Sequence, residues 1–358
     1  MKILHVITSL ATGGAEKLMV DLLPRIRDLG NEVSLCVFNG VRTPFYEQLD
    51  ANGINIISLG EKDDYYSPKH MFQLMKLMKQ YDIVHTHNTA PQLFAAFGGV
   101  LCPVVLVTTE HTTSNRRRGW KWYACLDKWM YEQYNKVICI SNQAESNLRE
   151  HIHSDSSSIC TIFNGVDVQR FINAEPSSEI EETYKGKHTA VMVAGFRWEK
   201  DQPTLIKAYS YLPEDYHLLL VGDGARRTEY EELVQKLGLS DRVHLLGLRT
   251  DVPNILKASE VVVMSSHFEG LSLSNIEGMA SGNPFIASDV DGLREVSKDY
   301  GVLFPHEDSE TLAKEIQRLT EDKEYRNMVS ERCLNRAKEF DIALMAERYN
   351  EVYKSLMA

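Results

Sequence analysis

Thirteen short apolar runs punctuate this chain, with longer amphipathic stretches between them, and that alternation restricts the fold more than any other feature. The first seven are Ile3–Ile7, Val33–Phe38, Ile54–Ser58, Ile83–His87, Val104–Thr109, Lys136–Ile140 and Cys160–Phe163. Stretches such as Glu16–Leu29 and Pro68–Gln80 repeat their apolar positions at helical spacing. Strands that are apolar nearly throughout, separated by helices, make parallel sheets covered on both faces and joined by right-handed crossovers. The series breaks after Asn164-Gly165-Val166-Asp167, and the polar, acidic segment Asn173–Lys187 reads as a linker or surface helix. Six more runs follow: Ala190–Ala194, Leu218–Val221, Val243–Leu246, Val261–Met264, Phe285–Ala287 and Gly301–Phe304. The pattern predicts an α/β chain of two doubly wound halves, residues 1–170 and 171–340, followed by an amphipathic run over 341–358. Ligands in such folds bind beyond the C-terminal ends of the strands, and here in a cleft between the halves.

One of those strand ends carries an unusual segment. After Val261–Met264 the chain reads Ser266-His267-Phe268-Glu269-Gly270-Leu271-Ser272-Leu273-Ser274-Asn275-Ile276-Glu277-Gly278-Met279-Ala280-Ser281-Gly282-Asn283-Pro284. Glu269 and Glu277 stand at fixed spacing around a helix entry. Carboxylates accept hydrogen bonds from sugar hydroxyls, and a helix N-terminus offers unpaired N–H groups to a phosphate. The segment suits both halves of a nucleotide sugar, although glutamates at this spacing also occur on ordinary βαβ units.

In full context the segment resembles the Glu-x7-Glu signature of the retaining, nucleotide-sugar-dependent glycosyltransferases with the GT-B fold. Gly278 departs from the pattern, which usually has Ala there. Gly costs roughly 1 kcal/mol relative to Ala in a helix, so a softer or more closely packed helix is expected. The resemblance runs from Gly13-Gly14 to Glu295 and implies two Rossmann-like, doubly wound parallel-sheet domains facing across a cleft. It implies transfer of a hexose-type sugar from a nucleoside-diphosphate sugar, UDP-linked by preference, to a hydroxyl acceptor such as a lipid-linked saccharide of cell-surface polysaccharide synthesis. Glu277 is then expected on the donor ribose and Glu269 on the transferred sugar, with Gly270, Leu271 and Ser272 at the diphosphate. The candidate Leu344–Met357 helix is expected to cross back to the N-terminal half.

Other candidates follow strand ends. Gly195, Arg197 and Lys200 come after Ala190–Ala194 and resemble the family's G-R-x-x-x-x-K segment, with Phe196 intervening. Fixed cations there would stabilise the charge that develops on a departing nucleoside diphosphate, so no metal and no cofactor is implied. Gly13 and Gly14 follow the first strand, where a helix start favours an anion; the resemblance places them near the donor phosphates. His85 and His87 share one face of their strand. They form a metal site only with a third ligand, which the spacing does not supply; otherwise one is a core histidine and the other sits at the strand mouth. The resemblance puts His87 on the acceptor side and His111, after Val104–Thr109, against the donor sugar. Arg116, Arg117 and Arg118, followed by Trp120, Trp122 and Tyr123, read in two ways: a grip on an acceptor diphosphate or anionic membrane, or a solvated loop.

A formal net charge of −11 argues against nucleic-acid binding. Six cysteines without a CxxC pair read as reduced thiols. The N-terminal run is too short and polar for a signal peptide, and no stretch spans a bilayer. A cytoplasmic protein, peripheral on the membrane if the arginines dock there, is expected. A nucleotide-sugar epimerase of similar fold and a non-catalytic subunit of a polysaccharide assembly remain alternatives; without GxGxxG, a nicotinamide oxidoreductase is a distant third.

Overall fold

The computed structural model describes every residue except 12, 112–120, 155 and 270–272. Arg116, Arg117, Arg118, Gly270, Leu271 and Ser272 therefore lie outside the described residues. The chain divides into two compact units: Met1–Gly165 with Ile342–Ala358, and Val166–Asp341.

The first unit holds β1 (Lys2–Ile7), β2 (Glu32–Val37), β3 (Asn55–Ser58), β4 (Ile83–His87), β5 (Val105–Glu110), β6 (Lys136–Cys139) and β7 (Ile159–Thr161). They form one parallel sheet in the order β3-β2-β1-β4-β5-β6-β7. Helices Gly14–Asp28 and Ile342–Met357 pack into the core on one face, and Pro68–Met78 and Thr89–Leu101 on the other. Burial on both faces is why these strands read as unbroken apolar runs. Their ends differ from the sequence reading by a residue or two, as hydrogen-bonded ladders fray at their ends. The C-terminal helix joins this unit through Ile342, Met345, Ala346, Tyr349 and Tyr353, a single buried stripe. Asn31 Nδ2 donates to Asn350 Oδ1 of that helix at 3.0 Å.

The second unit holds β8 (His188–Val193), β9 (Tyr216–Val221), β10 (Val243–Gly247), β11 (Val261–Met264), β12 (Phe285–Ser288) and β13 (Val302–Phe304), parallel in the order β10-β9-β8-β11-β12-β13. In each sheet the strand order reverses once, between β1 and β4 and between β8 and β11. Such a reversal opens a crevice beyond the strand ends. The Gly222-Asp223-Gly224 turn is shaped by close approach to the chain leaving β8. A Cβ on Gly222 would lie 2.1 Å from Ala194 O, and one on Gly224 2.4 Å from Phe196 O. Gly278 also answers to packing: its Cβ would come within 2.9 Å of Phe285 and Val262 side-chain atoms. The helix Leu273–Ala280 thus sits against β11 and β12 more closely than alanine permits. Among the described residues all six cysteines are free thiols, and four of them are buried.

Candidate functional site

The second unit gathers its candidate charges at the C-terminal ends of β8 and β11, the strands that flank its reversal. Phe196 turns inward, 1% exposed, with its ring edge-on to Tyr230 at 5.4 Å. The core therefore absorbs the residue that separates Gly195 from Arg197. Arg197 is exposed, and among the described residues its guanidinium has no acid partner. A short antiparallel bridge then joins Lys200 to Ser266. Asp201 N donates to Ser265 O, and His267 N to Glu199 O, each at 3.0 Å. This pairing lays the chain after β11 alongside residues 199–201 and brings Glu269 onto Lys200 as an ion pair. Ser266 Oγ donates to the same carboxylate oxygen at 3.0 Å. Lys200 is 8% exposed. A lysine expected to face a diphosphate is thus committed to the glutamate expected to face the sugar. Glu277 is partly buried on the helix Leu273–Ala280.

The first unit places histidines at its own reversal. The register sets His5 of β1 directly beside His85 of β4. His5, His85 and His87 are all 0% exposed. His5 Nδ1 and His87 Nε2 lie 3.0 Å apart, and His87 Nδ1 and His111 Nε2 2.9 Å apart. With both ring nitrogens taken by other histidines and no exposed surface, His87 does not line an acceptor surface as the resemblance suggested; it sits behind His111. His111 is only partly buried. Burial holds every one of these imidazoles toward the neutral form. His5 is lowered to about 3 and His111 to about 4, the latter opposed by the Glu110 carboxylate. His85 and His87 fall well below the ordinary range through burial and the neighbouring histidines. Glu110 itself is buried and accepts from the Tyr131 hydroxyl. Gly13 caps the helix Gly14–Asp28 in an extended conformation open to any residue, and Gly14 has free space at its Cβ position.

Among the described residues, two groups bring three ligand-type atoms together. His5, His85 and His87 supply the third histidine that spacing alone did not reveal. Their rings are stacked, with interplanar angles of 28°, 10° and 19°. Lone pairs lie in the ring plane, so near-parallel rings aim them alongside one another, and the nitrogens are already hydrogen-bonded. The arrangement is a hydrogen-bond network and a poor metal cage. Asp201, His267 and His306 form the second group. Asp201 Oδ2 is buried without a partner among the described residues, while His267 Nδ1 and His306 Nε2 share a contact of 2.9 Å. That donor set suits a borderline divalent ion such as zinc better than magnesium. Sequence reasoning passed over His5, although an imidazole in the middle of a buried strand requires partners. It also missed Asp201, His267 and His306, which converge only through the 199–201 and 265–267 pairing.

Residues 12–170 match the model of Glycosyltransferase Family 4, and residues 173–336 match that of Glycosyl transferases group 1. The chain is 30% identical over 305 residues to the UDP-Gal:α-D-GlcNAc-diphosphoundecaprenol α-1,3-galactosyltransferase of Escherichia coli, covering 80% of this chain and 79% of that one. The Anabaena protein HepE in complex with UDP superposes with a TM-score of 0.88 at 21% identity, over 99% of this chain and 100% of its own. HepE in complex with UDP-glucose superposes with a TM-score of 0.85, also at 21% identity, over the same shares of the two chains. No helix among the described residues is long and apolar enough to cross a membrane. Two parallel α/β units, matched along both halves by these models, place the chain among the glycosyltransferases, and its fold is GT-B.

Proposed function

We propose that this chain transfers a hexose-type sugar from UDP to a hydroxyl of a lipid-linked saccharide, with retention at the anomeric carbon and without a metal. The observation that carries this reading is the constellation at the reversal of the second sheet: an exposed Arg197, with no acid partner among the described residues, followed by Lys200 held against Glu269. The C1–O bond of the donor breaks with its electron pair passing to the UDP phosphate, and Arg197 and Lys200 stabilise that charge. The acceptor oxygen bonds to C1 from the same side, and its proton passes to the departing phosphate oxygen. Glu269 then turns to the sugar and Glu277 to the ribose. The identity of the donor base draws support from UDP in the HepE structures, and the acceptor class from the E. coli relative's name. Arg116, Arg117 and Arg118 are assigned to the acceptor diphosphate and the anionic membrane surface around it.

Arg197→Ala and Lys200→Ala each lower turnover by at least ~100-fold on this reading, the usual loss for one charge-stabilising donor. Activity persists in EDTA. Near-normal turnover in both variants sinks the cation assignment, and loss in EDTA that manganese or magnesium restores sinks metal independence. Release of free sugar without transfer to any acceptor points to a different reaction at the same donor site.

A further inference from the structure

His111 is the outer end of an unbranched hydrogen-bonded chain that runs into the core of the first unit. From the inner end, Tyr349 Oη lies 3.0 Å from Thr109 Oγ1, and Thr109 Oγ1 lies 2.8 Å from His85 Nε2. His85 Nδ1 is 2.5 Å from Tyr353 Oη, which is 3.4 Å from His5 Nε2. His5 Nδ1 then meets His87 Nε2 at 3.0 Å, and His87 Nδ1 meets His111 Nε2 at 2.9 Å. Of these seven groups only His111 is not fully buried.

Proton accounting leaves this chain few states. Each neutral member carries one mobile proton, and each interior member has one neighbour to donate to and one to accept from. A hydroxyl that accepted from both sides would strand its own buried proton, so if every link is made and no interior proton is left over, all protons point the same way along the chain. Inward order puts the proton on Nε2 of all four histidines and leaves the Tyr349 hydroxyl proton over at the inner end. That hydroxyl is 0% exposed, and its one partner among the described residues, Thr109, would already be donating to it. Native interiors avoid a buried donor without an acceptor. Outward order puts the proton on Nδ1 of all four histidines and spends the Tyr349 and Thr109 protons on links. The remaining proton is then on His111 Nδ1, which has no partner among the described residues, at the one member that is not fully buried.

We infer that this chain is a tautomer lock, in which a fully buried inner end, closed by the Tyr349 and Tyr353 hydroxyls of the C-terminal helix, admits no stranded donor and so fixes His111 with its proton on Nδ1. His111 thereby offers an N–H donor, not a lone pair, to an oxygen that meets its accessible side. On the function proposed above, that oxygen is a hydroxyl of the transferred sugar, and His111 orients it without acting as a base. His5, His85, His87 and Tyr353 are positioning residues that act through His111. Near-neutral pH leaves the lock intact because burial keeps the four rings uncharged.

The test reads tautomers directly. The full chain, labelled with 15N at histidine, is examined without substrate at pH 7.5 by long-range 1H–15N correlation, in which a protonated ring nitrogen and a bare one are well separated. All four histidines are expected as Nδ1–H forms in roughly tenfold excess or more. A mixture of tautomers among the four, or a uniform Nε2–H pattern, overturns the inference. Tyr353→Phe keeps the ring and the helix stripe but cuts the chain between His85 and His5. His5 Nε2 then faces no hydroxyl, and since a bare lone pair is tolerated there where a stranded buried N–H is not, His5, His87 and His111 are expected to keep their Nδ1–H forms. A Tyr353→Phe protein in which His111 switches to the Nε2–H form also overturns it. The spectra need no turnover, so failure of the lock and failure of the transfer reading are separate results.

Discussion

Acid should unfold the first unit, and His5 shows by how much. In an unfolded chain a histidine titrates near its ordinary value of about 6.5. Burial lowers His5 to about 3 in the folded protein. Between those values the unfolded chain binds a proton that the folded chain refuses, so stability is complete above the unfolded value and is lost as pH falls. Each pH unit costs about 1.4 kcal/mol, so His5 alone removes about 2 kcal/mol at pH 5 and about 4 kcal/mol by pH 3. His85 and His87, both lowered well below the ordinary range, pull in the same direction. Against a total stability on the order of 5–15 kcal/mol these are large losses. Trp198 is the only tryptophan in the second unit, so Trp198→Phe leaves fluorescence to report on the first. Urea unfolding of that protein at pH 8, 7, 6 and 5 gives stability against pH. His5→Asn should be less stable at pH 8 yet show a slope near pH 5 shallower by up to about 1.4 kcal/mol per unit. A parent protein equally stable at pH 7 and 5, or a variant with the parent's slope, would refute the reasoning.

Two further perturbations act at distant places. Gly278→Ala gains about 1 kcal/mol of helix propensity but drives a methyl into the 2.9 Å spaces beside Phe285 and Val262. Overpacking costs about 1–3 kcal/mol, so the melting temperature should not rise and is expected to drop; a rise means the helix can shift away. Replacing Arg116, Arg117 and Arg118 together with Ser removes roughly 1 kcal/mol of membrane attraction per residue, or about a 100-fold loss of binding to anionic liposomes at low salt. A parent protein that ignores such liposomes disposes of the membrane assignment.

How much of this was legible in the sequence depended on whether the signal was local. Strand positions were, because strands buried on both faces show as apolar runs wherever a parallel sheet forms. The ends of the strands that flank each reversal were legible for the same reason, and they carry His87, Arg197 and the segment leading to Glu269. Long-range pairing was not. Periodicity marked one face of the C-terminal helix as apolar, but not that Tyr353 turns its hydroxyl toward His5 of β1 and His85 of β4, or Tyr349 its own toward Thr109 of β5. The resemblance put His87 on the acceptor side, and strand alternation could not test that, because it gives a residue's face and not its depth. The Lys200–Glu269 pair depends on a backbone bridge between residues 200 and 266 that no pattern in either segment announces.

That ion pair changes what a glutamate substitution should do. The two side chains are 10% and 11% exposed, so neither charge is well served by water. Removing one partner of a buried pair leaves the other uncompensated and costs about 3–5 kcal/mol. In Glu269→Gln the uncompensated group is Lys200, and the missing anion is one that a nucleoside diphosphate can replace. The variant should therefore be less stable than the parent when empty and should recover more of its melting temperature when UDP is added. UDP affinity, measured by calorimetry, should be equal to the parent's or tighter, because the phosphate no longer competes with a carboxylate for the lysine. Transfer should still slow, since the sugar loses its charged acceptor of hydrogen bonds. UDP binding weakened tenfold with turnover intact would show that Glu269 holds the nucleotide, and that Lys200 meets the diphosphate only as a neighbour of that contact.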